Sequence, residues 1–155
     1  MSFAAGDDVV ASEHVHNFVK RTGTNTTVSG AWTAVPFATL ATGTMVGVST
    51  SDNITYTLQP GLWDVRATVI ASTNVALIAA LFRGTASADP LNAGNNEVYS
   101  IVSGSNTGSV GGVTVAAEIF VAAGATTTVR CSAFAAGSLY STGPGIPRLT
   151  FSWRY

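Results

Sequence analysis

Apolar and polar residues alternate along much of the chain, which is the period-two pattern of strands that bury one face. The alternation is most regular in three segments, and its apolar positions there predict the core: Ile54, Tyr56 and Leu58; Trp63, Val65, Ala67 and Val69; and Leu149, Phe151, Trp153 and Tyr155. No segment has the pattern of a long amphipathic helix. The chain is therefore predicted to be all-β, with an antiparallel sandwich or barrel.

Turn signals separate nine predicted strands. Pro60-Gly61 lies between two of them, and glycine-containing turns at 123–125 and 143–145 precede two others. The predicted strands are 28–37, 44–50, 54–59, 62–72, 75–83, 97–103, 112–121, 126–135 and 148–155. Residues 84–96 and 104–111 are predicted to be exposed loops.

One predicted strand, within residues 75–82, is apolar on both faces. Its second face carries Ile78, Ala80 and Phe82. The core of a small sandwich covers only one face of a strand, so the other face is expected to lie against a second copy of the chain. We predict these three residues as part of a subunit interface.

Four charged residues lie opposite the apolar faces of their strands: Asp64, Arg66, Glu118 and Arg130. A pair of carboxylates can hydrolyse a glycosidic bond when the two groups flank it. Charges of mixed sign on neighbouring faces are more typical of ion pairs between subunits. We therefore assign Arg66, Glu118 and Arg130 to the same predicted interface.

Composition bounds the class of protein. The 155 residues suit one domain, and charged residues make up only 10% of them, against about 25% in an ordinary soluble domain. Such a charge-poor surface favours coverage by neighbouring subunits.

Lys20 is the single lysine and the net charge is −1, so we expect no binding to nucleic acid, which needs converging basic side chains. The start of the chain lacks the pattern of a secretory signal, and the longest apolar run is too short to span a membrane.

Side chains that could carry chemistry are few. His14 and His16 stand on one side of an extended segment with a spacing that can chelate a metal, although two ligands do not complete a site. Cys131 shares its face with Val129 and Ala133 and is predicted to lie in the core. Neither a nucleophile with a base nor a phosphate-binding loop is present in the pattern. We predict a protein without catalytic activity, cofactor or metal.

Several motifs together suggest a family. Residues 54–67 (ITYTLQPGLWDVRA) run from an alternating strand through Pro-Gly to an aromatic residue and a second strand; residues 35–37 (VPF), 112–133 and 148–154 (RLTFSWR) match further. In these motifs the chain resembles the jelly-roll family of tumour necrosis factor and the complement globular heads, over roughly residues 27–155. The resemblance implies an antiparallel β-sandwich jelly roll that forms a homotrimer, packed through the inner faces of its sheets.

The resemblance also implies a place of action. Short, secretion-less members rich in threonine, glycine and alanine are virion proteins of tailed bacteriophages. We therefore expect a capsid-decoration or head-fibre subunit, made in the host cytoplasm and located in the virion, whose partners are itself and the major capsid protein. Residues 1–27 lack steady alternation and are assigned to an arm before the jelly-roll domain of residues 28–155. Candidate capsid contacts in the arm are His14, His16, Phe18 and Lys20. A frayed terminus or an extra edge strand explains the same pattern equally well.

A second hypothesis is a receptor-binding fibre tip that recognises host-surface carbohydrate through the two predicted loops. Stacking and hydrogen bonds would come from Asn92, Asn95, Asn96, Tyr99 and Asn106. Polar loops of this composition are also ordinary solvated turns, and the sequence leaves both hypotheses open.

Overall fold

The computed structural model describes residues 15–21, 26–72, 76–92, 94, 97–104, 111–139 and 146–154. Its strands are β1 (Val15–Arg21), β2 (Thr26–Ser29), β3 (Thr33–Ala34), β4 (Thr39–Gly43), β5 (Val48–Ser49), β6 (Thr55–Leu58), β7 (Gly61–Ser72), β8 (Leu77–Arg83), β9 (Glu97–Gly104), β10 (Gly111–Val121), β11 (Thr127–Phe134), β12 (Ala136–Leu139) and β13 (Arg148–Arg154). No helix in these ranges is long and apolar enough to cross a membrane.

The strands form two antiparallel sheets. In sheet A, β4, β1, β13, β7 and β10 lie side by side in that order, β12 pairs with the end of β7, and β2 pairs with β12. In sheet B the order is β5, β6, β11, β8 and β9, and β3 also pairs with β11. The prediction of an all-β antiparallel sandwich is confirmed.

Both sheets contribute aromatic rings to one core. The ring of Phe151 in β13 lies 5.2 Å from that of Tyr56 in β6 and 6.2 Å from that of Trp63 in β7, between centroids. Trp153, half-buried, stacks on Trp63 at 5.3 Å. The predicted inward faces are confirmed for β6, β7 and β13, because each strand gives every second side chain to the core. Ile54, which precedes β6, was predicted to join this core, but it is half-buried and lies outside it. Tyr155 lies outside the described residues.

Predicted strands match β6 to β11 and β13 within a few residues. The predicted strand 28–37 is instead divided into β2 in sheet A and β3 in sheet B. Gly30, with a φ of 73°, stands at the point where the chain leaves the first sheet for the second. Strands β4 and β12 were not predicted, since each is a short run of small residues with a single leucine and lacks an apolar alternation.

Part of the predicted arm belongs to the jelly roll. β1 pairs with β13 on one side and with β4 on the other, so it is an inner strand of sheet A. The arm assigned to residues 1–27 is corrected here: residues 15–21 and 26–27 are strand residues of the sandwich. Residues 1–14 lie outside the described residues.

The second face of β8 is covered by the protein itself. Ala80 and Phe82 are fully buried in the single chain, and Ile78 is half-buried. The guanidinium of Arg130 lies 5.9 Å from the centre of the Phe82 ring and donates a hydrogen bond of 2.9 Å to the carbonyl of Ser87 in the segment that follows β8. No second copy is needed to cover this face, and Ala80 and Phe82 have no exposed surface with which to meet one.

Candidate functional site

The sandwich has an open edge, formed by β9 of sheet B and β10 of sheet A. Within the described residues each of these strands pairs with one neighbour only, β8 and β7 respectively. The two strands lie close together because Gly104 has no side chain: a Cβ there would stand 2.5 Å from Cγ1 of Val113. This edge exposes apolar side chains, namely Val98, Ile101 (47% exposed), Val102 and Phe120 (75% exposed).

Sheet A presents a largely polar outer face beside the open edge. Arg66 holds Asp64 in an ion pair of 2.8 Å, and this contact raises the pKa of the exposed Arg66 guanidinium. Thr68 and Thr114 share a hydrogen bond of 3.0 Å across β7 and β10. Glu118 lies opposite Asp64 in the strand register. Asp64 is thus engaged with the guanidinium of Arg66.

Arg130 does not join these charges. It lies in β11 of sheet B, is only 9% exposed, and points to the covered side of β8, whereas Arg66 and Glu118 lie exposed on sheet A. The three residues predicted as one ionic interface therefore occupy two different surfaces. The sequence pattern predicted that each of these residues lies opposite the core face of its strand. It did not indicate which sheet each strand joins.

A cleft, called the end cleft below, opens at the end of the sandwich next to Phe120. Its volume is about 310 Å³. Its apolar lining comes from residues 119–122 and Ala125, and its polar lining from Arg83, Glu97, Tyr99, Glu118, Thr126 and Thr127. The site thus combines carboxylates, a guanidinium and hydroxyls with an exposed aromatic ring.

A second cleft, called the threonine cleft below, lies beside the end cleft. It measures about 240 Å³ and is lined by Arg83, Gly84, Thr85, Gly94 and Thr126 to Thr128. Sequence reasoning missed both clefts, because their residues come from the ends of β8, β9, β10 and β11, which are far apart along the chain.

Tyr99 lines the end cleft and is half-buried. Its hydroxyl lies 3.1 Å from Oγ1 of Thr127 and donates to the carbonyl of Thr128 at 3.3 Å. Burial raises the pKa of Tyr99, and the charge of Glu97 adds to this effect; the hydrogen bond to Thr127 and the charge of Arg83 oppose it. The receptor hypothesis expected Tyr99 to be a free stacking platform in an exposed loop. Tyr99 instead belongs to β9, and its hydroxyl is hydrogen-bonded.

The other predicted loop residues are only partly described. Asn92 is exposed, and its side-chain carbonyl accepts a hydrogen bond of 2.9 Å from the backbone N–H of Gly94. This bond closes a local turn. Asn95, Asn96 and Asn106 lie outside the described residues.

The predicted capsid contacts are likewise dispersed. Lys20 is only 4% exposed: its ammonium donates to Oδ1 of Asn53 at 2.8 Å and lies 5.7 Å from the centre of the Tyr56 ring. Burial lowers the pKa of Lys20. Lys20 therefore fastens β1 to its own domain and offers no surface to a capsid. The backbones of His16 and Phe18 lie in β1, and His14 lies outside the described residues.

Reactive groups are sparse in the part of the chain that the structure describes. It contains no group of three or more His, Cys, Asp or Glu side chains that could hold a metal ion. Cys131 is buried, as predicted, and burial raises the pKa of its thiol to about 12. A thiol held in this protonated form does not act as a nucleophile near neutral pH.

Comparison with known proteins supports the architecture. No family model and no curated protein matches the chain. Murine APRIL, crystallised at pH 8.0, matches with a TM-score of 0.62 and 12% identity over 90% of this chain and 98% of that one. Eiger TNF from S. frugiperda matches with a TM-score of 0.54 and 15% identity over 91% and 92%. At these identities the likeness establishes the fold alone, a jelly roll like that of tumour necrosis factor.

Proposed function

We propose that the protein is a non-catalytic structural subunit that associates with itself into a homotrimer and decorates a viral capsid. The observation that carries the self-association is the open edge with its exposed apolar side chains. Soluble proteins usually blunt such edges with lysine, proline or a covering segment. Here β9 carries Val98, Ile101 and Val102, so burial of this strand against another copy would be favourable.

The part of the outer face of sheet A around Thr68 and Ile70 is the surface that we assign to the partner's edge. Ile70 is half-buried there, and Thr68 and Thr114 already satisfy each other by a hydrogen bond. Covering this surface therefore leaves few buried polar groups without a hydrogen-bond partner. An edge that packs on a face is a heterologous contact, and three such contacts close a ring with threefold symmetry.

A single substitution at the edge tests the self-association. Light scattering of the native protein should give about three times the chain mass of 15.8 kDa. Ile101→Asp should give the monomer mass, because a carboxylate would be buried in an apolar contact. Leu91→Asp is the matched control: Leu91 is 73% exposed and lies in the segment after β8, outside strands β9 and β10. A native monomer, or a trimer that tolerates Ile101→Asp, would contradict the proposal.

The capsid role fits a protein that adds contact area without chemistry. The described residues hold no metal cluster, and the single thiol is buried. Electron microscopy of virions labelled with an antibody against this protein tests the location. Label over the head is the expected result, and label confined to the tail tip would favour the second candidate. Residues 1–14 are the part of the predicted arm still proposed for attachment, so their deletion should reduce capsid occupancy.

The second candidate function is recognition of host-surface carbohydrate. The observation that favours it is the end cleft, in which hydrogen-bonding side chains adjoin an exposed aromatic ring. Small-molecule sites commonly combine such a concave surface with a few placed polar groups. Adsorption of virions to host cells in the presence of an antibody against this protein tests the candidate, and full adsorption would contradict it.

A further inference from the structure

The end cleft and the threonine cleft adjoin each other, because Arg83, Thr126 and Thr127 line both. Their volumes are about 310 and 240 Å³. Ligand sites in proteins measure roughly 300 to 1,000 Å³, so the combined surface suits a ligand of one to a few rings.

The charges of the lining narrow the class of ligand. Glu97 and Glu118 contribute two carboxylates against the one guanidinium of Arg83. This balance disfavours phosphate- or sulfate-bearing molecules, which the carboxylates would repel. A purely apolar ligand is also disfavoured, because it would desolvate charged groups without replacing their hydrogen bonds. A neutral polyhydroxylated ligand avoids both penalties: its hydroxyls donate to carboxylates and accept from a guanidinium.

The apolar side of the surface narrows the class further. Phe120 lies at the mouth of the end cleft with 75% of its surface exposed. A large apolar face beside a polar wall fits a molecule with one C–H-rich face and a hydroxyl-bearing rim, which describes a pyranose ring. We propose that the two clefts bind a neutral saccharide, with Phe120 as its platform and with Glu118 and Arg83 as its hydrogen-bonding partners.

Hydrogen bonds of Tyr99 to Thr127 and Thr128 hold one wall of this site in place. The Tyr99 hydroxyl ties Thr127 and the Thr128 carbonyl together, which positions the hydroxyl-bearing strand end of β11. Groups held in this way lose little side-chain entropy when a ligand binds. The inference rests on the second candidate function. The proposed saccharide site is complete within one chain, because all of its residues belong to that chain. In a homotrimer, three such sites would strengthen attachment to a glycan-bearing surface through avidity.

Saturation-transfer NMR on the native protein tests the inference with defined probes. Lactose, maltose and N-acetylglucosamine serve as neutral saccharides, and a sulfated heparin disaccharide serves as the anionic probe. We expect saturation of at least one neutral probe and none of the sulfated one. Phe120→Ala and Glu118→Gln should each weaken binding by about tenfold or more, since each removes a principal contact.

Two control variants remove side chains of the same chemical type at positions outside the clefts. Leu91→Ala removes an apolar side chain of similar exposure, and Arg148→Ala removes an exposed guanidinium of sheet A; both should bind as the native protein does. Light scattering of every variant should give the oligomeric state of the native protein, and Glu118→Gln carries the test if Phe120→Ala does not fold.

Three results would overturn the inference: no saturation of any neutral probe, preference for the sulfated probe, or full binding by both cleft variants. The second candidate function is judged separately by adsorption to host cells. If antibody blocks adsorption while the cleft variants adsorb normally, the recognition function stands and only the saccharide site fails.

Discussion

Gly47 illustrates how one residue without a side chain shapes the aromatic core. It adopts a φ of 72°, and a Cβ there would stand 3.0 Å from Cε3 of Trp153. The Trp153 indole N–H donates to the carbonyl of Pro60 at 3.1 Å, and that of Trp63 donates to the carbonyl of Gln59 at 2.9 Å. The backbone N–H of Gln59 in turn donates to the Gly47 carbonyl at 2.8 Å. The stacked tryptophans, the turn before β7 and the approach to β5 are thus mutually dependent.

Substitution of Gly47 should destabilise the fold beyond the cost of its backbone conformation. Gly47→Ala adds left-handed strain of about 1–2 kcal/mol and also displaces the Trp153 ring. Gly124→Ala is the control, since Gly124 has a φ of 76° but nothing within 4 Å of its added Cβ. Thermal unfolding should show a clearly larger fall in Tm for Gly47→Ala. Equal falls would mean that the contact with Trp153 contributes nothing.

Cys131 should make the protein less stable in alkali. Its thiol has an ordinary pKa of 9.0, raised in the folded protein to about 12 by burial. Above pH 9 the unfolded chain loses this proton while the folded protein keeps it, so the free energy of unfolding falls as pH rises. The fall from this group is on the order of 1 kcal/mol at pH 10.

Denaturant unfolding of the native protein and of Cys131→Ala at pH 8 and pH 10 measures this effect. The variant should lose less stability between the two pH values than the native protein. Burial also raises the pKa of Tyr56, so some alkaline loss should persist in both. Identical losses would show that the thiol is not protected from ionisation.

At the scale of elements, strands β1 and β8 show how context decides the role of a segment. β1 lacks a steady apolar alternation, yet it fills the position between β13 and β4. The buried ammonium of Lys20, bound to Asn53, fixes it to the loop before β6. β8 is apolar on both faces because its second face lies under Arg130 and the segment that follows it.

Deletion of β1 should therefore unfold the sandwich. Removal of residues 1–21 takes away the central pairing partner of β13 and β4 and leaves both strand edges unsatisfied. We expect aggregation or a large fall in Tm, measured by circular dichroism. Removal of residues 1–14 keeps β1 and should leave the strand signal intact. A folded product from the longer deletion would contradict the inner position of β1.

At the scale of the whole molecule, stability should depend on protein concentration. If the open edge is buried in a homotrimer, association stabilises the folded state by mass action. The Tm of the native protein should then rise as its concentration increases, whereas that of Ile101→Asp should not. Calorimetry over a hundredfold range of concentration measures both. A constant Tm for the native protein would argue against coupled association and folding.

The sequence by itself determined the fold class, the inward faces of β6, β7 and β13, and the buried position of Cys131. These properties follow from local alternation, because a strand sends successive side chains to opposite faces whatever its partners are. The tertiary structure alone decided which strands are neighbours. It placed Arg130 apart from Arg66 and Glu118, made β1 an inner strand, and brought the ends of β8, β9, β10 and β11 together around the clefts. Pairing between segments that are distant in the chain depends on the paths of the loops and on the packing of two whole sheets. The alternation within one strand indicates neither of these.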